Sequence, residues 1–142
     1  MKVSAKAEYA CIAMLELSSG SNGRHPMRVK SIADAHSIPL RFLVQILLQL
    51  KGAGLVASTR GAAGGYQLAK PSERISLADI INVIDRAPNR LDQTGSTSSP
   101  TLRALRNVWQ EVQAEEQRML EEITLADLAK QTQHHHELSY QI

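Results

Sequence analysis

The stretch Leu55-Val56-Ala57-Ser58-Thr59-Arg60-Gly61-Ala62-Ala63-Gly64-Gly65-Tyr66-Gln67-Leu68 places the tightest constraint on how this chain can fold. Two short runs with partly alternating side chains, Leu55 to Thr59 and Tyr66 to Leu68, flank a tip built from glycine and alanine. That pattern predicts a β-hairpin, because glycine reaches the positive φ angles of a tight reversal without a steric penalty. Arg60 opens the tip. A long cation on a narrow loop almost free of side chains can enter a groove closed to a bulkier loop, and the DNA minor groove is such a place. Taken alone, the hairpin favours the plainer interpretation of a surface turn with a solvated arginine. The residues before it change that balance.

Those residues read as helix, tight turn, helix. Val29 to His36 carries Ile32 and Ala33 on an inward face, Ser37-Ile38-Pro39 forms the turn, and proline suits the first turn of the helix that follows. That helix runs from Leu40 to about Gly52, closed by Gly52 and Gly54, with Phe42, Leu43, Ile46, Leu47 and Leu50 as its expected buried stripe. The opposite face presents Arg41, Val44, Gln45, Leu48 and Gln49. In a helix-turn-helix the second helix enters the major groove, where Arg and Gln form paired hydrogen bonds with base edges. A hairpin directly after it makes a winged helix. The alternative for Arg41 and Gln45 is a solvated helix face.

Charge supports the nucleic-acid interpretation. Residues 1–70 hold nine Lys and Arg against three Asp and Glu, a net of +6, whereas residues 71–142 hold seven against eleven, a net of −4. A basic half that contains the hairpin and an acidic half with a long helical pattern imply two different tasks. No catalytic constellation appears: there are no paired carboxylates or nucleophile–base pair, and Gly61 to Gly65 lacks the Lys-Ser/Thr of a phosphate loop. The chain is not expected to be an enzyme.

In chain order, residues 4–18 predict a first helix with Tyr9, Ile12, Ala13 and Leu17 at helical spacing, widened by Met14 and Leu15. Ser18 to Pro26 is a loop. After the wing, Pro71 ends the strand, Ser76 caps a helix whose apolar face is Leu77, Ile80, Ile81 and Ile84, and Pro88 marks its end. Asn89 to Pro100 is a polar, flexible loop. From Thr101 a helical pattern runs about six turns through Leu102, Leu105, Val108/Trp109, Val112, Met119 and Ile123. So long a helix cannot bury that stripe on a small winged helix, which predicts packing on a second copy. Thr124-Leu125-Ala126-Asp127 starts a short helix toward His134, followed by an exposed tail. His134-His135-His136 cannot converge on one ion, since successive helical residues point about 100° apart.

The single cysteine, Cys11, allows no intrachain disulfide and reads first as a small core residue, with a redox role as the alternative. No window approaches the ~18 apolar residues of a membrane span. Glu8 and Glu16 interrupt any signal-peptide core, so a cytoplasmic location is expected.

The segments Ala5-Lys6-Ala7-Glu8-Tyr9-Ala10, Ile32-Ala33, Phe42-Leu43-Val44-Gln45, Gly54-Leu55-Val56, Arg60-Gly61-Ala62-Ala63-Gly64-Gly65-Tyr66 and Ile75 to Ile81 together resemble the Rrf-two family of bacterial regulators. The resemblance spans about residues 2–86, and the long helix fits it by position and periodicity. It implies a dimeric winged-helix transcription factor, usually a repressor, that binds double-stranded DNA. Arg41 and Gln45 would face major-groove bases, with Val44 and Gln49 on the same helix, and Arg60 would enter the minor groove on a wing made by Gly61, Gly64, Gly65 and Tyr66. Lys2, Lys6 and Arg28 would contact phosphates. Val44 departs from cluster-regulated relatives, which can carry glutamate there, so operator preference should differ. Those relatives also place three cysteines in the loop before the long helix. The loop Asn89 to Pro100 has none, so no iron–sulfur cluster or other cofactor is expected, and Glu8 is left as a solvated or paired carboxylate. The modulator would be a metabolic-enzyme partner, a small ligand, or oxidation of Cys11.

The expected fold is mainly α: a winged helix-turn-helix domain at 1–86 with a two-stranded β wing, a flexible loop at 87–100, and a dimerisation helix with C-terminal tail at 101–142. Leu102, Leu105, Trp109, Val112 and Met119 are its expected dimer contacts. The rival from another class is a winged-helix protein-interaction module that does not bind DNA and uses the apolar Val44/Leu48 face.

Overall fold

A computed structural model describes residues 2–19, 25–85 and 99–140. The end of the fourth helix at Pro88, most of the Ser18–Pro26 loop and the Asn89–Ser98 loop lie outside these described residues. The first helix, α1 (Ala5–Ser18), starts where Ser4 Oγ accepts the Ala7 N–H at 3.0 Å. Its inner face is unusually small: Ala7, Ala10 and Ala13 are fully buried beside Met14 and Leu17, which lets other helices approach the backbone closely. Tyr9, Ile12 and Leu15, expected inside, are only partly buried at its flanks.

Helix α2 (Val29–His36) buries Ile32 and Ala33, then stops at Ser37, whose left-handed backbone (φ 54°, ψ 39°) reverses the chain. The Ile38 N–H reaches back to the Ala33 carbonyl at 3.0 Å, and Pro39 stands as the cap of α3 (Leu40–Gly52). The buried stripe of α3 is Leu43, Ile46, Leu47 and Leu50. Phe42, expected in that stripe, is 52% exposed. At about 100° per residue the four buried side chains define one face, and residue 42 falls beyond its edge.

Strands β1 (Val56–Thr59) and β2 (Gly65–Leu68) pair antiparallel, with Val56 opposite Leu68 and Thr59 opposite Gly65. The wing is wider than two strands. Met27, just before α2, exchanges two hydrogen bonds with Tyr66, each 2.8 Å, so β2 is paired on both sides. Lys51 Nζ also donates to Ser58 Oγ at 2.7 Å, tying the end of α3 to β1.

After a single 3₁₀ turn at Ser72–Arg74 comes α4 (Leu77–Ile84), then α5 (Pro100–Glu122) and α6 (Leu125–Tyr140). Pro100 opens α5, capped by Ser99, so the preceding loop stops short of it. Two capping boxes lie side by side. Asp79 N–H donates to Ser76 Oγ while Ser76 N–H donates to Asp79 Oδ2, and Thr124 and Asp127 repeat this pairing at the start of α6. Between them Leu77 N–H reaches Ile123 O at 2.9 Å and Leu125 N–H reaches Ile75 O at 2.7 Å. Ile75 and Leu125 are both in the core.

The C-terminal residues differ from expectation in one respect: α6 continues as helix past His134 to Tyr140, while its packing on α1 and the Ser72–Arg74 turn comes from its first turns, and residues 130–138 are exposed. The polar run from Lys130 to Glu137 carries no apolar period that would mark this extension as helix. Thr124→Ala should lower stability by about 1 kcal/mol, the usual cost of a lost N-cap, in chemical denaturation. Asp127, held below its usual carboxylate range by hydrogen bonding to Thr124, gives the same box a pH edge. Its contribution is present above the unfolded carboxylate pKa and is lost as pH falls through the depressed folded value.

Candidate nucleic-acid interface

The outward face of α3 carries Arg41, Val44, Gln45, Leu48 and Gln49, all exposed. Among the described residues no hydrogen bond engages the Arg41 or Arg60 side chain, so both long cations are available to an outside acceptor. The wing tip, Arg60–Gly64, closes through a Gly64 N–H to Gly61 O hydrogen bond of 3.0 Å, with Gly61 at φ +107°. Arg60 and Gly61 are exposed at this tip, as the sequence predicted.

Three further residues of the motif shape the wing. Gly64 is buried, and a Cβ there would lie 2.1 Å from the Thr59 carbonyl oxygen. Gly65, at φ +146°, would bring its Cβ to 2.4 Å from the Met27 carbonyl oxygen. The Tyr66 side chain packs on the core. These residues hold the wing in shape, and the tip presents Arg60, Gly61, Ala62 and Ala63 to solvent.

Arg28, expected on a phosphate, donates from Nη2 to the Ala62 carbonyl at the wing tip. One guanidinium nitrogen thereby ties the start of α2 to the loop that carries Arg60, while its remaining donors stay available. Neither this bond nor the Met27–Tyr66 bridge was visible to sequence reasoning, because each joins residues more than thirty apart with no periodic signal. Lys2 is exposed beside the α1 start, where Ser4 Oγ donates to Asp85 Oδ1 at 2.6 Å and fastens the N-terminus to the end of α4.

Helix α5 buries none of its residues. Leu105, Val108, Trp109, Val112 and Met119 form an exposed stripe along it, with Leu102 half-buried near its start. Five large apolar side chains at helical spacing on one solvent-facing helix need a partner surface.

Cys11 is partly buried on α1. Burial, then the negative charges of Asp85 and Glu8, push its thiol from an ordinary 9.0 to about 11. Such a thiol is a poor nucleophile at neutral pH, which works against a redox role through the thiolate. Alkylation by iodoacetamide near neutral pH should be at least about tenfold slower in the native chain than in denaturant, measured by mass spectrometry. The sign for stability follows: the contribution is complete below pH 9.0 and is lost as pH rises toward about 11.

Comparison with known proteins agrees with this geometry. The Rrf2 family, described as "Iron-dependent Transcriptional regulator", matches residues 3–131. The chain is 35% identical to the HTH-type transcriptional regulator CymR of Bacillus subtilis over 132 residues, covering 93% of this chain and 92% of that one. A Mycobacterium tuberculosis protein that carries a provisional HTH-type transcriptional regulator name is 42% identical over 133 residues, covering 91% of this chain and 81% of its own. Among solved structures, T. potens IscR superposes with a TM-score of 0.76 at 35% identity, covering 93% of this chain and 88% of that one.

The family description names iron, so the donor set matters. Thiolate ligation of a cluster needs several cysteines at short spacing, and the sequence contains one, with its proton firmly held. Among the described residues no three His, Cys, Asp or Glu side chains group so as to hold a metal ion. The residues do not fit an iron–sulfur cluster held by this chain. In the described residues no helix is long and apolar enough to cross a membrane. The relatives are named as regulators rather than enzymes, and with the Rrf2 family matched over residues 3–131 the chain belongs to the Rrf2 family of transcriptional regulators.

Proposed function

We propose that this protein is a homodimeric, sequence-specific DNA-binding repressor that works in the cytoplasm without an iron–sulfur cluster. It reads a palindrome-like operator with the outward face of α3 and with Arg60. The observation that carries this is the combination of an exposed Arg41–Val44–Gln45–Gln49 face with a wing whose tip is anchored by Arg28 and leaves Arg60 unengaged. Arg41 and Gln45 supply hydrogen bonds to base edges, Val44 and Leu48 supply contact for thymine methyls, and Arg60 enters the minor groove. Lys2, Lys6 and Arg28 add phosphate contacts. A metabolic enzyme or a small molecule would act as effector.

Selection of bound duplexes from a random pool tests the reading. A two-fold-symmetric site should emerge, with affinity falling steeply as salt rises. Arg60→Ala should weaken binding to that site about tenfold while the oligomeric state stays unchanged; full affinity in the variant would remove the wing from the interface. A reporter driven from the selected site should rise when the gene is deleted, as repression requires.

The exposed Leu40, Val44 and Leu48 side chains favour a second reading, a winged helix that docks a protein partner. It predicts no enrichment of any duplex and no salt-dependent binding.

A further inference from the structure

A cavity of about 650 Å³ lies between α1, the end of α2, the Ser72–Arg74 turn and α6. It shares no residue with the α3 face, the wing or the α5 stripe. Ile12, Leu15 and Ala129 give it apolar walls. Among the hydroxyl, amide and imidazole groups that also line it are charges of both signs: Glu16, bonded to His36 at 3.1 Å, together with Glu73 and Lys130. A volume of this size, apolar walls and a few polar groups are the marks of a small-molecule site.

We propose that this cavity binds a small zwitterion with an apolar side chain, an α-amino acid or a short peptide of such residues. Glu73 and Lys130 are exposed at the edge of the cavity, where a wholly apolar ligand would leave both without a partner. A ligand of single charge would satisfy one of them and meet a like charge at the other. Glu16 is already paired with His36, so Glu73 is the acceptor for an ammonium and Lys130 the donor for a carboxylate, while the side chain lies on Ile12, Leu15 and Ala129. The position carries a consequence for regulation. His36 is the last residue of α2, and Ser37, its neighbour, sets the turn into α3, so occupancy bears on how α3 is held. That last step alone rests on the DNA-binding reading.

The test is a titration of the isotope-labelled full chain with L-leucyl-L-leucine, followed by backbone amide shifts, with N-acetyl-L-leucinamide as an uncharged control. Saturable shifts are expected at residues 12–19, 72–73 and 126–136, with none from the control. Lys130→Glu, an exposed change on α6 that leaves the core alone, should weaken the dipeptide about fivefold. Absence of saturation, equal binding of the control, or an unaltered Lys130→Glu titration would each overturn the site. Because this titration needs no DNA, it fails or succeeds separately from the operator reading. Operator affinity that does not move under saturating dipeptide would remove the regulatory step.

Discussion

Replacing Trp109 and Val112 together by glutamate is expected to convert the proposed dimer to monomer and to lower affinity for the selected operator by about a hundredfold or more. Both side chains sit on the exposed stripe of α5, in the company of Leu105, Val108 and Met119, and no α5 side chain is buried within its own chain. The substitutions therefore leave the core intact, and circular dichroism should show an unchanged helix content. Two charges placed in a self-complementary apolar seam face their own copies across the two-fold axis, where like charges oppose association. Loss of the dimer removes the linked second half-site, and linkage of two modest sites is worth about 10²–10⁴ in affinity. Sedimentation and fluorescence anisotropy on the selected operator measure the two effects. A variant that stays dimeric would place the interface elsewhere.

Gly65→Val is the second substitution with a large expected effect. The backbone at this position has φ +146°, where a β-branched residue is strained, and a Cβ would press to 2.4 Å from the Met27 carbonyl oxygen. Relief requires parting the Met27–Tyr66 hydrogen bonds or shifting β2 against β1. The cost should be about 3 kcal/mol or more, read from a denaturant melt, since strain and overpacking add at this position. Operator affinity should fall along with it, because the loop that carries Arg60 ends at Gly64. The comparison that isolates geometry from general instability is Gly52→Ala: a Cβ at this helical position meets nothing within 4 Å, and there the variant should match the parent. Equal stability of Gly65→Val and the parent would show that the wing is not held by this close approach.

Much of the helix-turn-helix and wing was legible because it depends on local rules. Apolar spacing marked α3, Pro39 marked its start, and alternating residues around glycine marked the wing. The errors share a cause. Phe42 counts as apolar in any periodic reading, yet the stripe it borders is only four residues wide, and burial is set by what α1 and α4 can cover. The full length of α6 is hard to read because Lys130 to Glu137 is exposed and polar, so no apolar period marks where the helix ends. Glycines 61, 64 and 65 were recognisable as turn residues, but which of them meets a backbone neighbour depends on Met27, which is thirty-eight positions before Gly65. The cavity between α1 and α6 was invisible for the same reason: its walls come from four separate stretches of chain.

The paired capping boxes have a mechanical consequence. The hydrogen bonds from Leu77 to Ile123 and from Leu125 to Ile75 clamp the C-terminal end of α5 to the body of the domain, and the helix extends away from that clamp for 23 residues. At 1.5 Å per residue it is a spar about 34 Å long, close to one turn of duplex DNA. In the proposed dimer this spar acts as a ruler that sets how far apart the two reading heads stand and how each is rotated about it. One inserted residue would turn a head by about 100° and move it about 1.5 Å, whereas seven would nearly restore its orientation at a longer reach. If the proposed dimer forms through α5, the length of that helix sets the operator spacing.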